Sequence, residues 1–189
     1  MIERIITFSG KDYDQEIIKY GFVVIRNGVL SVAIILMCGI IENKLVESLL
    51  YLFCNLIIYT KVGGYHAKTQ IGCLMITVAT WKVALIFSSI CMDINIFLGV
   101  ILGGVYIILV WKNAPVLHPN KARFGEAITK KQRIVAIVRL LIGYGLIIVF
   151  WSTHKQEYSG ILMMGISEII ISMLIGKELY KRYEEKENG

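Results

Sequence analysis

The chain has 189 residues, of which 56% are hydrophobic, well above the roughly 45–50% of an ordinary soluble domain. Its formal charge is +6, but the basic residues lie between apolar runs without interleaved aromatics, a pattern that fits membrane-flanking loops and predicts no nucleic-acid partner. The four cysteines have neither disulfide-framework nor zinc-ligand spacing, so we expect no metal and no cofactor.

The apolar residues fall into runs long enough to cross a lipid bilayer. A membrane helix needs about 20 apolar residues, with a tolerated range of about 17–25. The pattern predicts an all-α integral membrane protein with one domain and six transmembrane helices over residues 21–176, preceded by a possible amphipathic segment at 1–20 and followed by a tail at 177–189. The six runs, of which the second is slightly short, lie at about 21–41, 45–60, 71–91, 94–111, 134–151 and 159–176.

Lysine and arginine are distributed unevenly over the two sides of this predicted bundle. With six spans the two termini share a side, and fifteen of the 20 basic residues lie on it. Lys44 and Lys155 lie on the opposite side, and Arg26, Lys82 and Arg139 fall inside spans. Because positive charge is retained on the cytoplasmic side, the bias predicts a multi-pass cell-membrane protein with both termini in the cytoplasm.

A histidine and a cysteine flank the predicted start of the third span. Gly63 and Gly64 break the preceding helix, and Cys73 falls in the first turn of the next, where the helix dipole favours a thiolate. Imidazole can take a thiol proton, so His66 and Cys73 are candidates for a base and a nucleophile. In one continuous helix they would lie about 10.5 Å apart, so the loop must fold back or close on substrate. The alternative is that Cys73 is a small packing residue.

These residues carry a resemblance to a known family. The order Gly63-Gly64-Tyr65-His66-Ala67, with Cys73 seven positions after the histidine, resembles the accessory gene regulator B (AgrB) family, integral-membrane peptidases of Gram-positive quorum sensing. The chain length, the apolar layout and Ala114-Pro115 opening a basic loop are similar as well. The resemblance implies that Cys73 is the nucleophile and His66 the catalytic histidine of a cysteine endopeptidase, a thiol protease.

The resemblance also implies a substrate and a reaction. The enzyme would remove the C-terminal tail of an AgrD-like precursor peptide through a cysteine thioester, and the thioester would cyclise to a thiolactone or lactone autoinducing peptide. It further implies a homodimer whose active site lies at the cytoplasmic face. Family members often carry an arginine shortly before the Gly-His segment, where this chain has only Lys61 to supply a charge.

Further residues are candidates for holding the precursor peptide. Gly64, Lys61, Thr69 and Gln70 adjoin the predicted pair, and Thr69, Gln70 and the first N–H groups of the third span could orient groups or stabilise an oxyanion. The 112–133 connection either only sets topology or docks an acidic precursor tail. Its residues to test are Lys121, Arg123, Lys130, Lys131 and Arg133.

Charged residues inside spans leave other functions open. Arg26 and Arg139 can reach toward headgroups or a polar cavity, and Lys82 and Glu168, of opposite charge at matching depth, predict an ion pair. A small membrane transporter and a non-enzymatic membrane assembly partner are the alternatives to the peptidase. A Gly99-x-x-x-Gly103 pattern is a weak hint of helix packing in a dimer.

Overall fold

The computed structural model describes residues 15–65, 67, 69–90, 96–116 and 126–187. These residues form six helices in the order the apolar runs predict, and the all-α class is confirmed for this part of the chain. In the second helix, Leu45–Val62, residues Asn55–Tyr59 form a π-helical stretch between two α-helical parts. The helices are α1 (Gln15–Ile41), α2 (Leu45–Val62), α3 (Gln70–Ile90), α4 (Ile96–Asn113), α5 (Glu126–Ser152) and α6 (Gln156–Glu187).

Five of the described helices contain a stretch long and apolar enough to cross a membrane, and α4 contributes a shorter apolar part at Gly99–Asn113. Many large apolar side chains point outward, among them Ile25, Ile71 and Ile101 at 63–75% exposure, which suits contact with lipid. The protein is therefore consistent with a multi-pass membrane protein, while the six spans and the side of the termini stay predictions. The five stretches are Gly21–Ile41, Leu45–Val62, Gln70–Ser89, Ile128–Ser152 and Gln156–Arg182.

Two helices extend beyond the predicted apolar runs. Helix α5 begins at Glu126 rather than near residue 134, and α6 continues to Glu187 rather than ending near residue 176. The added segments are rich in Glu, Lys, Arg, Gln and Leu, which have high helix propensity, so the helices continue past their apolar stretches. Residues 1–14, most of the predicted amphipathic segment, lie outside the described residues.

Helix α6 lies at the centre of the bundle and packs against α2, α3, α4 and α5. Its small residues allow close approach: a Cβ at Gly160 would lie 3.2 Å from the Cα of Ser88 on α3. Its large apolar side chains fill the interior around it, each at most 2% exposed. They are Ile161, Leu162, Ile166, Ile169, Ile170 and Met173.

Two glycines of α4 pack within the chain. A Cβ at Gly103 would lie 2.9 Å from the ring of Tyr144 on α5, and one at Gly99 would lie 4.0 Å from the sulfur of Met163 on α6. The small residues therefore let the α5 and α6 side chains approach α4. The homodimer stays a prediction, because these contacts within one chain neither form nor exclude it.

The turns at 42–44 and 153–155 lie at the same end of the bundle. Lys44 donates hydrogen bonds to Glu157, at the start of α6, and to Glu47 in α2. The bond to the Glu157 carboxylate is the main reason that the pKa of Lys44 is raised to about 12. Lys82 reaches the same end and binds Glu42 at 2.5 Å. The predicted Lys82–Glu168 ion pair is therefore wrong, because the long Lys82 side chain extends to the end of α1.

Glu168 instead joins a polar cluster between α2, α3 and α6. The Tyr51 hydroxyl donates to Glu168 Oε2 at 2.9 Å and lies 2.8 Å from Thr80 Oγ1. Thr80 in turn donates to the Thr77 carbonyl at 3.1 Å. The second carboxyl oxygen of Glu168 is buried and has no hydrogen-bond partner among the described residues.

Candidate functional site

The loop between α2 and α3 starts with a glycine that no other residue can replace without strain. Gly63 has φ +72°, in the left-handed region that disfavours a side chain. A Cβ there would lie 2.1 Å from the carbonyl oxygen of Val116, and the Val116 N–H donates to the Val62 carbonyl at 2.9 Å. The start of the loop is thus joined to the segment that follows α4, where the Ala114–Pro115 peptide bond is cis.

The next two residues lie directly on the surface of α6. The Tyr65 N–H donates to both the carbonyl and the hydroxyl oxygen of Ser172, at 3.0 and 3.1 Å. A Cβ at Gly176 would lie 2.8 Å from Gly64 C and from Tyr65 N, and one at Gly64 would lie 2.6 Å from Ser172 Oγ. Two glycines, one on each side of the contact, therefore let the loop backbone touch the helix.

Two tyrosine hydroxyls hold the carbonyl groups of the same residues. Tyr59, at the end of the π-helical stretch, donates to the Tyr65 carbonyl at 3.0 Å. Tyr180, in the last turns of α6, donates to the Gly64 carbonyl at 3.3 Å. The peptide group between Gly64 and Tyr65 and its neighbours are thus bound by side chains from two helices. Sequence reasoning missed Ser172, Gly176 and Tyr180, which lie more than 100 positions away along the chain.

The far side of the loop begins α3 with a side-chain cap. Thr69 Oγ1 accepts a hydrogen bond from the Gly72 N–H at 3.1 Å, and the Thr69 carbonyl accepts the Cys73 N–H at 3.1 Å. A Cβ at Gly72 would lie 3.3 Å from the Cβ of Ala67. The absence of a side chain at position 72 therefore lets the loop fold close over the first turn of α3.

Cys73 is the fourth residue of α3, half-buried, and lies in the first turn as the sequence predicts. The Thr77 hydroxyl bonds the Cys73 carbonyl one turn further along at 2.9 Å. His66 and Lys68 lie outside the described residues, so the His66–Cys73 pair stays a prediction, but Ala67, the neighbour of His66, packs over the turn that carries Cys73.

Arg26 of α1 reaches the beginning of α3. Its Nη2 donates to Gln70 Oε1 at 2.6 Å, three residues before Cys73. The sequence predicted that this arginine would reach toward headgroups or a polar cavity, and it named Gln70 as a candidate substrate residue. The structure joins the two and places a positive charge beside the first turn that carries Cys73.

The other candidate binding residues are spread over α2 and α5. Lys61 lies in the last turn of α2, and Lys130 and Lys131 are exposed in α5. Arg133 is engaged within the chain: its Nε donates to the Ala114 carbonyl at 2.9 Å, and its guanidinium lies 5.8 Å from the ring centre of Trp111. Of the predicted basic set, Lys121 and Arg123 lie outside the described residues.

Arg139 provides a guanidinium near the end of α2. Its Nη1 donates to the Ile57 carbonyl at 2.7 Å and to Thr60 Oγ1 at 3.2 Å. The stretch around Thr60 also contains Lys61, so the end of α2 carries a lysine of its own and is contacted by an arginine from α5. In the described part of the chain, no three His, Cys, Asp or Glu side chains are grouped to hold a metal ion.

Comparison with known proteins identifies the family. The family model described as Accessory gene regulator B matches residues 2–174. The chain belongs to the AgrB family. An AgrB-like protein of Clostridium perfringens (strain SM101 / Type A) is 24% identical over 95% of this chain and 92% of its own length. AgrB-like protein 1 of Clostridium perfringens (strain 13 / Type A) is 27% identical over 79% of this chain and 82% of its own length.

A third relative matches a shorter part of the chain. AgrB-like protein 2 of the same strain 13 is 26% identical over 60% of this chain and 57% of its own length. No solved structure matches the chain. Membership of the AgrB family, which the Gly63–Cys73 pattern predicted, is confirmed, and it supports a part in accessory gene regulator quorum-sensing processing.

Proposed function

We propose that this AgrB-family protein is a membrane-embedded cysteine endopeptidase that removes the C-terminal tail of an AgrD-like precursor peptide. Cys73 is the nucleophile and His66 the general base. The observation that supports this assignment best is the packing of Ala67 over the first turn of α3, where a Cβ at Gly72 would lie 3.3 Å from the Ala67 Cβ. The residue next to His66 therefore lies beside the turn that carries Cys73, so the loop folds back. In one continuous helix His66 and Cys73 would be about 10.5 Å apart.

The reaction has two acyl-transfer steps. In the first, His66 takes the thiol proton, the Cys73 sulfur attacks the scissile carbonyl carbon, and the protonated imidazole gives its proton to the leaving amine of the tail. The peptide C–N bond breaks and a thioester to Cys73 remains. In the second, a cysteine or serine of the precursor attacks the thioester, its proton returns through His66 to the Cys73 sulfur, and a thiolactone or lactone ring closes.

The first turn of α3 supplies groups for the negative oxygen that forms in each step. A helix leaves its first N–H groups without partners inside the helix. The Gly72 N–H already donates to Thr69 Oγ1, and the Cys73 N–H already donates to the Thr69 carbonyl. The N–H groups of Gln70 and Ile71 are therefore the candidate donors to the oxyanion. Arg26, bound to the Gln70 side chain, adds positive charge at the same turn.

Cyclisation requires that water reach the thioester more slowly than the internal nucleophile does. Cys73 is half-buried, and Ile71, two residues before it, is 75% exposed on a helix apolar enough to span a membrane. A site at this edge of the bilayer would be bordered by lipid on one side, which limits hydrolysis. We place the site at the cytoplasmic face of the cell membrane, from the distribution of basic residues.

The basic residues before and within α5 would dock the acidic tail of the precursor. Lys130 and Lys131 are exposed, whereas Arg133 already donates to the Ala114 carbonyl, so the two lysines are the better candidates for direct contact. Lys121 and Arg123 extend the same basic segment along the sequence. A homodimer would present two such surfaces, and we keep it as part of the proposal.

The transporter interpretation loses its motivation, because each charge that suggested it has a partner inside the chain. Arg26 binds Gln70 and Lys82 binds Glu42, and neither side chain is left to line a conduction path. Arg139 binds the Ile57 carbonyl, and Glu168 accepts from Tyr51. These contacts join neighbouring helices, and Arg26 in addition brings its charge to the first turn of α3.

The test is precursor processing in proteoliposomes. Wild-type protein, Cys73→Ala and His66→Ala would be incubated with a synthetic AgrD-like precursor peptide from the same genome, and the released tail measured by mass spectrometry. Cys54→Ala is the matched control, because Cys54 is a second cysteine, 1% exposed and packed in the core. We expect tail release by the wild type and the control only. Release by Cys73→Ala at the wild-type rate would overturn the assignment.

A further inference from the structure

The loop that carries His66 is held against α6 through Gly64 and Tyr65. We propose that Gly176 and Ser172 of α6 are positioning residues, which set the distance of this loop from Cys73 through Gly64 and Tyr65. The inference rests on the proposed function, because it gives α6 a part in the same His–Cys reaction. It concerns residues that contact neither the precursor nor the reacting atoms.

The contact is closer than any side chain at position 176 would permit. A Cβ there would lie 2.8 Å from both Gly64 C and Tyr65 N, and 3.2 Å from the Gly64 carbonyl oxygen. These are backbone atoms, which cannot rotate away as the end of a flexible side chain can. Any larger residue at 176 therefore moves the Gly64–Tyr65 peptide away from α6.

Glycine at position 176 also explains how the Tyr65 N–H can donate a hydrogen bond to the Ser172 carbonyl, which lies inside a helix. In an α-helix the carbonyl of residue 172 is paired with the N–H of residue 176, and a side chain at 176 normally covers it. Without that side chain, the Tyr65 N–H reaches the Ser172 carbonyl at 3.0 Å, and the Ser172 hydroxyl provides a second acceptor at 3.1 Å. These hydrogen bonds therefore fix how far the loop lies from α6 and which residues of α6 it contacts.

Tyr65 and Ala67, the residues immediately before and after His66, are both held by contacts with helices. Tyr65 is bound to Ser172 on one side, and on the other side Ala67 packs over the first turn of α3, where a Cβ at Gly72 would lie 3.3 Å from the Ala67 Cβ. A shift of the Tyr65 backbone therefore changes the geometry of the segment that presents the base to the nucleophile. Misplacement of a catalytic group by about 1 Å can cost about 100-fold in rate.

Variants with matched controls separate positioning from general packing. Gly176→Ala is expected to lower tail release about 100-fold. Ser172→Ala, which removes only the hydroxyl acceptor, is expected to lower it about five-fold. Gly165→Ala is the control on the same helix, since its Cβ would meet Cys54 and Tyr51 at an ordinary 3.6 Å. It should keep the wild-type rate.

The second readout is the reactivity of Cys73 toward iodoacetamide as a function of pH in the same proteoliposomes. Trypsin would release residues 69–82 as one peptide whose only cysteine is Cys73, so its alkylation can be followed by mass spectrometry without removing other cysteines. Arg26, bound at the same turn through Gln70, is unchanged in every variant and contributes equally. His66→Ala provides the profile expected when the base is absent.

We expect the pH profile of Cys73 alkylation in Gly176→Ala to move toward the profile of His66→Ala. The thermal unfolding midpoint of Gly176→Ala should stay close to that of Gly165→Ala. A wild-type profile and rate in Gly176→Ala would overturn the inference while leaving the His–Cys proposal intact. An unchanged profile and rate in His66→Ala would overturn the proposed function, and the inference with it. If Gly176→Ala does not fold, Ser172→Ala decides: a wild-type rate and profile there overturn the positioning role.

Discussion

The guanidinium of Arg139 donates a hydrogen bond to the carbonyl oxygen of Ile57 at 2.7 Å, and so joins α5 to the π-helical stretch of α2. A π-helical turn contains one extra residue, and its carbonyls lose their regular partners. Arg139 supplies a donor there and reaches Thr60 as well. The extra residue also rotates the end of α2, from which Tyr59 reaches the Tyr65 carbonyl.

Replacing Arg139 should destabilise the bundle. We expect Arg139→Met to lower the free energy of unfolding by about 1.5–3 kcal/mol, the usual contribution of hydrogen bonds to a charged group. Arg139→Lys should recover part of it, because lysine keeps the charge but not the two-pronged geometry. The measurement is reversible unfolding in mixed detergent micelles.

The control for this prediction is Arg182→Met. Arg182 is 67% exposed and, among the described residues, pairs with Glu178 one turn away, so its removal should change stability by less than about 0.5 kcal/mol. Equal effects of Arg139→Met and Arg182→Met would show that the Arg139 contact contributes no more than a surface pair.

Gly63 should be the least replaceable glycine in the loop. An alanine there would adopt a left-handed conformation that costs about 1–2 kcal/mol, and its Cβ would meet the Val116 carbonyl at 2.1 Å. Gly63→Ala should therefore lower both stability and tail release. Gly145→Ala, whose Cβ meets nothing within 4 Å, should be neutral or stabilising by up to about 1 kcal/mol. Tail release by Gly63→Ala at the Gly145→Ala level would contradict the turn geometry.

The polar cluster around Glu168 should show energetic coupling with Tyr51 and not with Lys82. In a double-mutant cycle, Tyr51→Phe and Glu168→Leu should couple by about 0.5–3 kcal/mol, because the two side chains share a hydrogen bond. Lys82→Met and Glu168→Leu should add, since Lys82 pairs with Glu42. Glu168→Gln should be the mildest change, because an amide still accepts from Tyr51. Stronger coupling to Lys82 than to Tyr51 would reject this arrangement.

Local sequence signals predicted the parts of the fold that depend on neighbouring residues. Apolar runs located the six helices, and Gly63-Gly64 located the end of α2 because glycine favours the left-handed turn found there. The first turn of α3 was predicted correctly, including the place of Cys73 in it. Each of these features depends on residues that are close together in the chain.

Contacts between distant helices could not be predicted in the same way. Gly176 reads as an ordinary glycine near the end of an apolar helix, and nothing near it in the chain indicates that Gly64 lies on it. The partner of Lys82 was predicted wrongly because depth in the membrane was inferred from position along the helix. A lysine side chain is long enough to bind a carboxylate at the end of another helix.

Trapping the acyl-enzyme on Cys73 would test the proposed nucleophile. Wild-type protein in proteoliposomes would be mixed with the AgrD-like precursor, quenched in acid and analysed by intact mass and tryptic mapping. We expect an adduct one water lighter than the sum of enzyme and cyclisable fragment, located on the peptide spanning residues 69–82 and absent from Cys73→Ala. Tail release without an adduct on that peptide, and unchanged in Cys73→Ala, would contradict that assignment.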